Sequence, residues 1–249
     1  MISALRYEWR RLFSIRSTWI ISGLYLALVG ALGLIPIFSA GPGQTQSWSG
    51  LYSTPGNVLS LVLLSVIAAQ SFGHEYRYGV IRLTLSEFPV REKILIAKTL
   101  ILSTYVLTMT LLAWAVLGLG ALIAGNERVN SEAVGYSISG SNDKTHMWQV
   151  LTFGIGYCIL AMSITMLSRN LALGVTLPLL LATLIEPLIG AVLVMIKESF
   201  EPITKYLPLS SAQAWVVNAA GWPQAGLVFA AWVVGIYFLA TFLFIKRDA

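Results

Sequence analysis

His74 and Glu75 open a pattern that, when complete, hydrolyses peptides. In H-E-x-x-H two histidines one helical turn apart hold zinc and the glutamate activates water. Here position 78 is Tyr78, and the one other histidine, His146, belongs to a segment expected on the opposite side of the protein. A zinc site needs about three converging protein ligands, and none can be assembled. Gly135-Tyr136-Ser137-Ile138 begins like the nucleophile elbow G-x-S-x-G, but Ser139 stands where the last glycine should be. No G-x-x-x-x-G-K-[ST] phosphate loop occurs, so the chain does not bind ATP in that manner. Catalysis by this chain alone is not expected, and no cofactor or metal ligand set is assigned to it.

One carboxylate remains. Glu186 lies inside a long apolar block, immediately before Pro187, where an ionised group costs about 2.5 kcal/mol or more at the bilayer centre. Two readings stand. A structural glutamate pairs with a neighbouring span or caps backbone freed by the proline, and then Glu186→Gln keeps most of its bonds. A pathway glutamate attracts a cationic substrate or assists an outer gate.

The elements that carry these residues follow from composition. Of the 249 residues 57% are hydrophobic and 11% charged, against about 25% charged in soluble domains, and mean hydropathy is +0.77. The apolar residues gather into about six blocks long enough for about 30 Å of hydrocarbon. They run Thr18–Phe38, Val58–Phe72, Ile94–Ala124, Trp148–Leu167, Leu171–Met195 and Pro223–Ile245. The second is short, so Asn57 to His74 are needed to cross. This is an all-α membrane protein, with residues 1–249 forming a single transmembrane domain. Its single cysteine, Cys158, permits no intrachain disulfide.

Charge orients the spans. Arg6, Arg10, Arg11 and Arg16 precede the first block; Arg77, Arg82, Arg91, Lys93 and Lys98 follow the second. Arg169 follows the fourth, and Lys246 and Arg247 the sixth, leaving Arg128, Lys144, Lys197 and Lys205 on the other side. By the positive-inside rule both termini are cytoplasmic. A net charge of +5 could suggest nucleic acid, but the cations are spread among spans, so no nucleic-acid partner is expected. A signal peptide fits the start poorly: the basic region is long, and Phe38 stands where a small residue should precede Ala40 by two. Ser39–Gly56 and Gly125–Thr145 read as external loops, Ser168–Asn170 as a tight cytoplasmic turn, and residues 198–222 as an external segment dipping into the interface.

One cytoplasmic stretch, Phe72 to Arg91, has two apolar stripes when read as a helix. Tyr76, Val80 and Leu83 form one; Tyr78, Ile81, Leu85 and Phe88 form the other. Glu75, Gly79, Arg82 and Ser86 share the polar stripe between them, and Pro89 ends the helix. Periodicity leaves two roles open, a helix resting on membrane lipid with arginines toward phosphate, or a docking helix between the membrane domain and a cytoplasmic partner.

Glu75-Tyr76-Arg77-x-Gly79-x-Ile81-Arg82-x-Thr84-Leu85, followed by Pro89-x-Arg91 and Ile94-x-Ile96-Ala97-Lys98, resembles the signature after the second span of the ATP-binding-cassette (ABC) type-2 permeases. Leu5-Arg6-Tyr7-Glu8-Trp9-Arg10-Arg11-Leu12 is similar to their N-terminal amphipathic elbow, and Tyr206-Leu207-Pro208-Leu209 to a segment before their last span. Val80 departs from the family, which more often has threonine after the glycine. The resemblance implies an elbow at residues 1–17, a coupling helix within 73–93, and pairing with a second permease, the same chain or a homologue. It implies docking on a separate cytoplasmic ABC ATPase, which binds ATP and Mg²⁺. Glu75, Tyr76, Arg77, Gly79, Arg82 and Leu85 become docking candidates, with Ser168 and Arg169 a second, smaller contact. The implied setting is a bacterial plasma membrane, and the implied work is export. Two rivals are an ATPase-independent channel or carrier, and a membrane anchor that recruits a soluble protein.

Overall fold

The computed structural model describes residues 2–39, 48–81, 83, 91–125, 141–196, 201–217 and 223–246. Among these residues the secondary structure is helical and no strand occurs. An apolar segment in lipid must satisfy its own backbone, and a helix does so within one segment. Helix α1 (Ile2–Ser14) turns at Ile15 into α2 (Arg16–Ser39), the first span. After α3 (Trp48–Ser53) and a 3₁₀ turn (Thr54–Gly56) come α4 (Val58–Arg77) and α5 (Arg91–Ala124), the second and third spans. Helix α6 (Ser141–Ser168) carries the fourth. The fifth span is composite: α7 (Leu171–Leu180), a π-helical turn (Leu181–Ile185) and α8 (Glu186–Ile196). Short α9 (Glu201–Thr204) and α10 (Pro208–Val217) lead to α11 (Pro223–Lys246), the sixth span.

Among the described residues six helices are thus long and apolar enough to cross a membrane. The fourth is the axis: 78% of its most apolar stretch is buried, against 6% for the fifth. Helix α6 packs most heavily on α4, then on α11 and α7, while α5 packs on α2. The central core therefore joins Leu64 and Phe72 of α4 to Phe153 and Tyr157 of α6, with Val29 of α2 and Val106 of α5 beside them. The N-terminal end of α5 meets the C-terminal end of α11, where Arg91 Nη1 donates to the carbonyls of Phe244 and Ile245 at 3.2 and 3.1 Å. Both ends of the described chain therefore lie on one face of the bundle.

Three stretches are more ordered, or ordered differently, than their sequence suggests. The uncharged stretch before the second span contains α3 and the 3₁₀ turn, pinned where Trp114 Nε1 donates to the Tyr52 carbonyl at 3.0 Å. Asn57 then caps α4 by accepting from the Leu59 N–H at 3.0 Å. The segment before the last span contains α9 and α10 rather than irregular chain. Past Phe72 α4 runs unbroken to Arg77; Gly79, at φ +65°, then turns the chain, and Ile81 and Leu83 are helical again. A positive φ suits glycine because it has no Cβ. Arg82 and Leu85 lie outside the described residues, as do Thr84 to Val90.

Candidate functional site

The terminus-bearing face holds a buried charge cluster assembled from three elements. Lys98, on the second turn of α5, is 2% exposed. Its Nζ lies 2.9 Å from Glu8 Oε1 of α1 and 2.7 Å from Glu75 Oε1 of α4, and donates to the Ser71 carbonyl at 2.9 Å. Arg11 pairs with the same Glu75 and, at 3.6 Å, with Glu8, and donates to Ser71 O as well. Two cations thus neutralise two carboxylates. Glu75 and Glu8 are almost as deeply buried as Lys98. Removing charges from water costs several kcal/mol per ion unless opposite charges surround them, and here each has an ionic partner within 4 Å. The ring of Phe72 adds a cation–π contact with Lys98 at 4.8 Å. The cluster clamps α1 onto the ends of the second and third spans.

Outside that clamp the surface is basic and aromatic. Arg77 is exposed and lies over the Tyr78 ring at 5.8 Å. Tyr78, Val80 and Leu83 expose their apolar parts just beyond α4. Arg169, between the fourth and fifth spans, has φ 53°. A non-glycine residue pays about 1–2 kcal/mol for that conformation. The turn from Ser168 to Asn170 allows little else, since Asn170 must also cap α7 by accepting from Ala172 N–H at 2.9 Å. The turn brings the Arg169 guanidinium over Tyr76, 5.7 Å from its centroid. Gly73, Tyr76, Arg77, Arg169, Asn170 and Leu171 line an open cleft between α4 and α7.

At the opposite end, Glu186 is 3% exposed and all its visible bonds are acceptances. Leu209 N–H donates to Oε1 at 2.8 Å, Ser210 N–H to Oε2 at 2.5 Å, and Ser210 Oγ to Oε2 at 2.6 Å. These backbone donors open α10, where no earlier turn supplies acceptors, and the helix dipole favours an anion there. Glu186 itself follows the π turn, its N–H bonding to Leu181 O five residues back. Pro187 comes next and has no N–H to give.

The docking candidates therefore divide. Tyr76, Arg77 and Arg169 line one cleft, with Ser168 beside Arg169 in the turn and Gly79 exposed just past α4. Glu75 faces inward, into the cluster. Glu8, Arg11 and Ser210 were not singled out by type or spacing. The signal for the first two was Lys98, a cation inside a long apolar helix that must find carboxylates. Nothing local to Ser210 marks it.

No curated protein matches the chain in sequence. The profile of a family described as ABC-2 family transporter protein matches residues 5–186, from α1 to the carboxylate that caps α10. That match covers most of the chain and includes the clamp, the arginine–tyrosine cleft, the first four spans and the fifth as far as Glu186. The chain belongs to the ABC-2 family of transporter proteins and is a multi-pass membrane protein of the permease type.

Proposed function

We propose that this chain is the permease subunit of an ATP-driven exporter, paired with a second permease and docked from the cytoplasm on a separate ATPase that binds ATP and Mg²⁺. The observation that carries this reading is the contact between Tyr76 and Arg169. It joins the segment after the second span to the turn between the fourth and fifth, the two places expected to meet the ATPase. Around it, exposed Arg77, Tyr78 and Leu83 offer charge and aromatic surface to an acidic, grooved partner. Glu75 acts from behind this surface: by clamping α4 to α1 and α5 it transmits movement of the docking surface into three elements at once. The amphipathic α1 is the elbow of this arrangement. The weakly covered fifth span supplies surface for the second permease.

Two substitutions at one position test the docking. Arg169→Gly relieves the left-handed backbone and removes the guanidinium; Arg169→Lys keeps charge and keeps the backbone strain. Tagged chain is co-expressed with the ATPase, and co-purification and ATP hydrolysis in vesicles are measured. The glycine variant should insert normally yet lose most of the associated ATPase, and the lysine variant should keep a larger share. Full association of the glycine variant would discard this turn as a contact.

A further inference from the structure

Helix α1 has three faces, not two. At 3.6 residues per turn, Ala4, Glu8 and Arg11 share one face, which is buried or clamped against α4 and α5. Ile2, Leu5, Trp9 and Phe13 share the second, with Ile2 76% and Trp9 45% exposed. The third face carries Ser3, Arg6, Arg10 and Ser14, all exposed, lining a shallow cleft with Tyr7 and Arg11.

Arg6 and Arg10 stand one turn apart and have no carboxylate partner among the described residues, whereas Arg11, one position further, is paired with two. Like charges four residues apart oppose helix formation. A helix that pairs one arginine twice and leaves two in mutual repulsion leaves a place for an anion from outside. Its depth is set by the aromatic residues. Trp19, 60% exposed at the start of the first span, donates to the Phe13 carbonyl at 2.9 Å, and Phe13 packs between Trp9 and Trp19 at centroid distances of 4.6 and 5.7 Å. Tryptophans at the end of a span mark the headgroup level. The apolar face then meets acyl chains, and the arginine face meets headgroups.

We infer that Arg6 and Arg10 form a binding site for the phosphate of an anionic phospholipid headgroup, phosphatidylglycerol-like rather than zwitterionic. Two guanidiniums one turn apart match a phosphate with paired N–H donors, and a headgroup with its own ammonium would bring a cation into a doubly positive site. Because the buried face of the same helix is clamped to Glu75 and Lys98, an occupied site braces the end of α4. The inference does not depend on an ATPase.

The full-length chain is reconstituted in nanodiscs of phosphatidylcholine alone and of phosphatidylcholine with phosphatidylglycerol. Retained lipid is measured by native mass spectrometry and unfolding on heating by intrinsic fluorescence. The wild type should retain phosphatidylglycerol selectively and unfold at higher temperature in its presence. At about 1 kcal/mol per basic residue near an anionic surface, each Arg→Gln change should weaken selective retention about fivefold, and Arg6→Gln with Arg10→Gln about 30-fold. That double variant should unfold like the wild type in phosphatidylcholine alone, which separates lost binding from lost fold. Arg6→Lys with Arg10→Lys should keep part of the selectivity, and Lys205→Gln, at an exposed cation of the other end, all of it. Undiminished selectivity in the double glutamine variant overturns the site. Equal stabilisation of the wild type by inorganic phosphate in phosphatidylcholine overturns the lipid assignment.

Discussion

Ser210 donates twice to Glu186, through its backbone N–H at 2.5 Å and its hydroxyl at 2.6 Å. With the Leu209 N–H on the other oxygen, both carboxylate oxygens are engaged by the first turn of α10, twenty-three residues further along the chain. Glu186 is the helix cap of a different element. The arrangement supports the structural reading of this residue.

A glutamine can offer one acceptor oxygen, and its NH₂ group would face donors. Glu186→Gln should therefore destabilise the protein by about 1–3 kcal/mol, more than a free choice of hydrogen bonds would suggest, and Glu186→Leu by more. Ser210→Ala should cost less, because the backbone donors remain. Thermal unfolding in detergent, run as a double-mutant cycle, should give non-additive costs for Glu186→Gln and Ser210→Ala. Strict additivity would mean that the bond is absent in solution.

Lys98→Met leaves Glu8 beside Glu75 with one cation instead of two. Breaking a buried ion pair from one side costs about 3–5 kcal/mol, so this variant should insert poorly or unfold early. Adding Glu75→Gln removes one of the orphaned charges and should recover part of the loss. Detergent-solubilised yield and melting temperature read both. No recovery in the double variant would mean that Lys98 acts by packing alone.

Gly174 lies where α7 crosses α6. A Cβ placed there would collide with Thr165 Oγ1 and stand 3.1 Å from the Ala161 carbonyl oxygen. The hydroxyl already donates to that carbonyl at 2.8 Å, so it has little room to swing. Gly174→Ala should cost about 1–3 kcal/mol by overpacking. Gly23→Ala in the first span, where nothing lies within 4 Å, should be close to neutral. Equal melting temperatures for the two variants would contradict the packing of α7 on α6.

Topology can be read by labelling because Cys158, the chain's single cysteine, is fully buried. Ser14→Cys should react with a membrane-impermeant maleimide only after the cytoplasmic side is opened. Lys205→Cys should react in intact cells. The reverse pattern would invert the orientation given by the Lys and Arg bias.

The six spans were legible because bilayer thickness imposes a length on apolar blocks. Observed helices overrun the expected ones at several ends: α4 reaches Arg77 instead of Phe72, α5 begins at Arg91 instead of Ile94, and α6 begins at Ser141 instead of Trp148. Hydropathy falls at the first charged residue, but a helix whose glutamate and lysine neutralise each other continues through it. For the same reason Glu75 read as part of a polar stripe. Its neighbours in sequence are polar, and the residues that bury it come from α1 and α5. The partner of Glu186 was illegible because helix capping across twenty-three residues leaves no period. Arg169 was legible as a turn residue, but its reach to Tyr76 depends on a left-handed backbone that composition does not reveal.

The π turn in the fifth span divides that span into halves with different attachments. Helix α7 packs on α4 and α6, whereas α8 packs chiefly on the π turn and on α9. Amide hydrogens report such a division directly, since exchange follows local opening. Protection should be high through Leu180 and fall across Leu181–Ile185. Beyond the π turn it should depend on the Glu186 cap, so that Glu186→Gln raises exchange in α8 and α10 together while leaving α7 as slow as before.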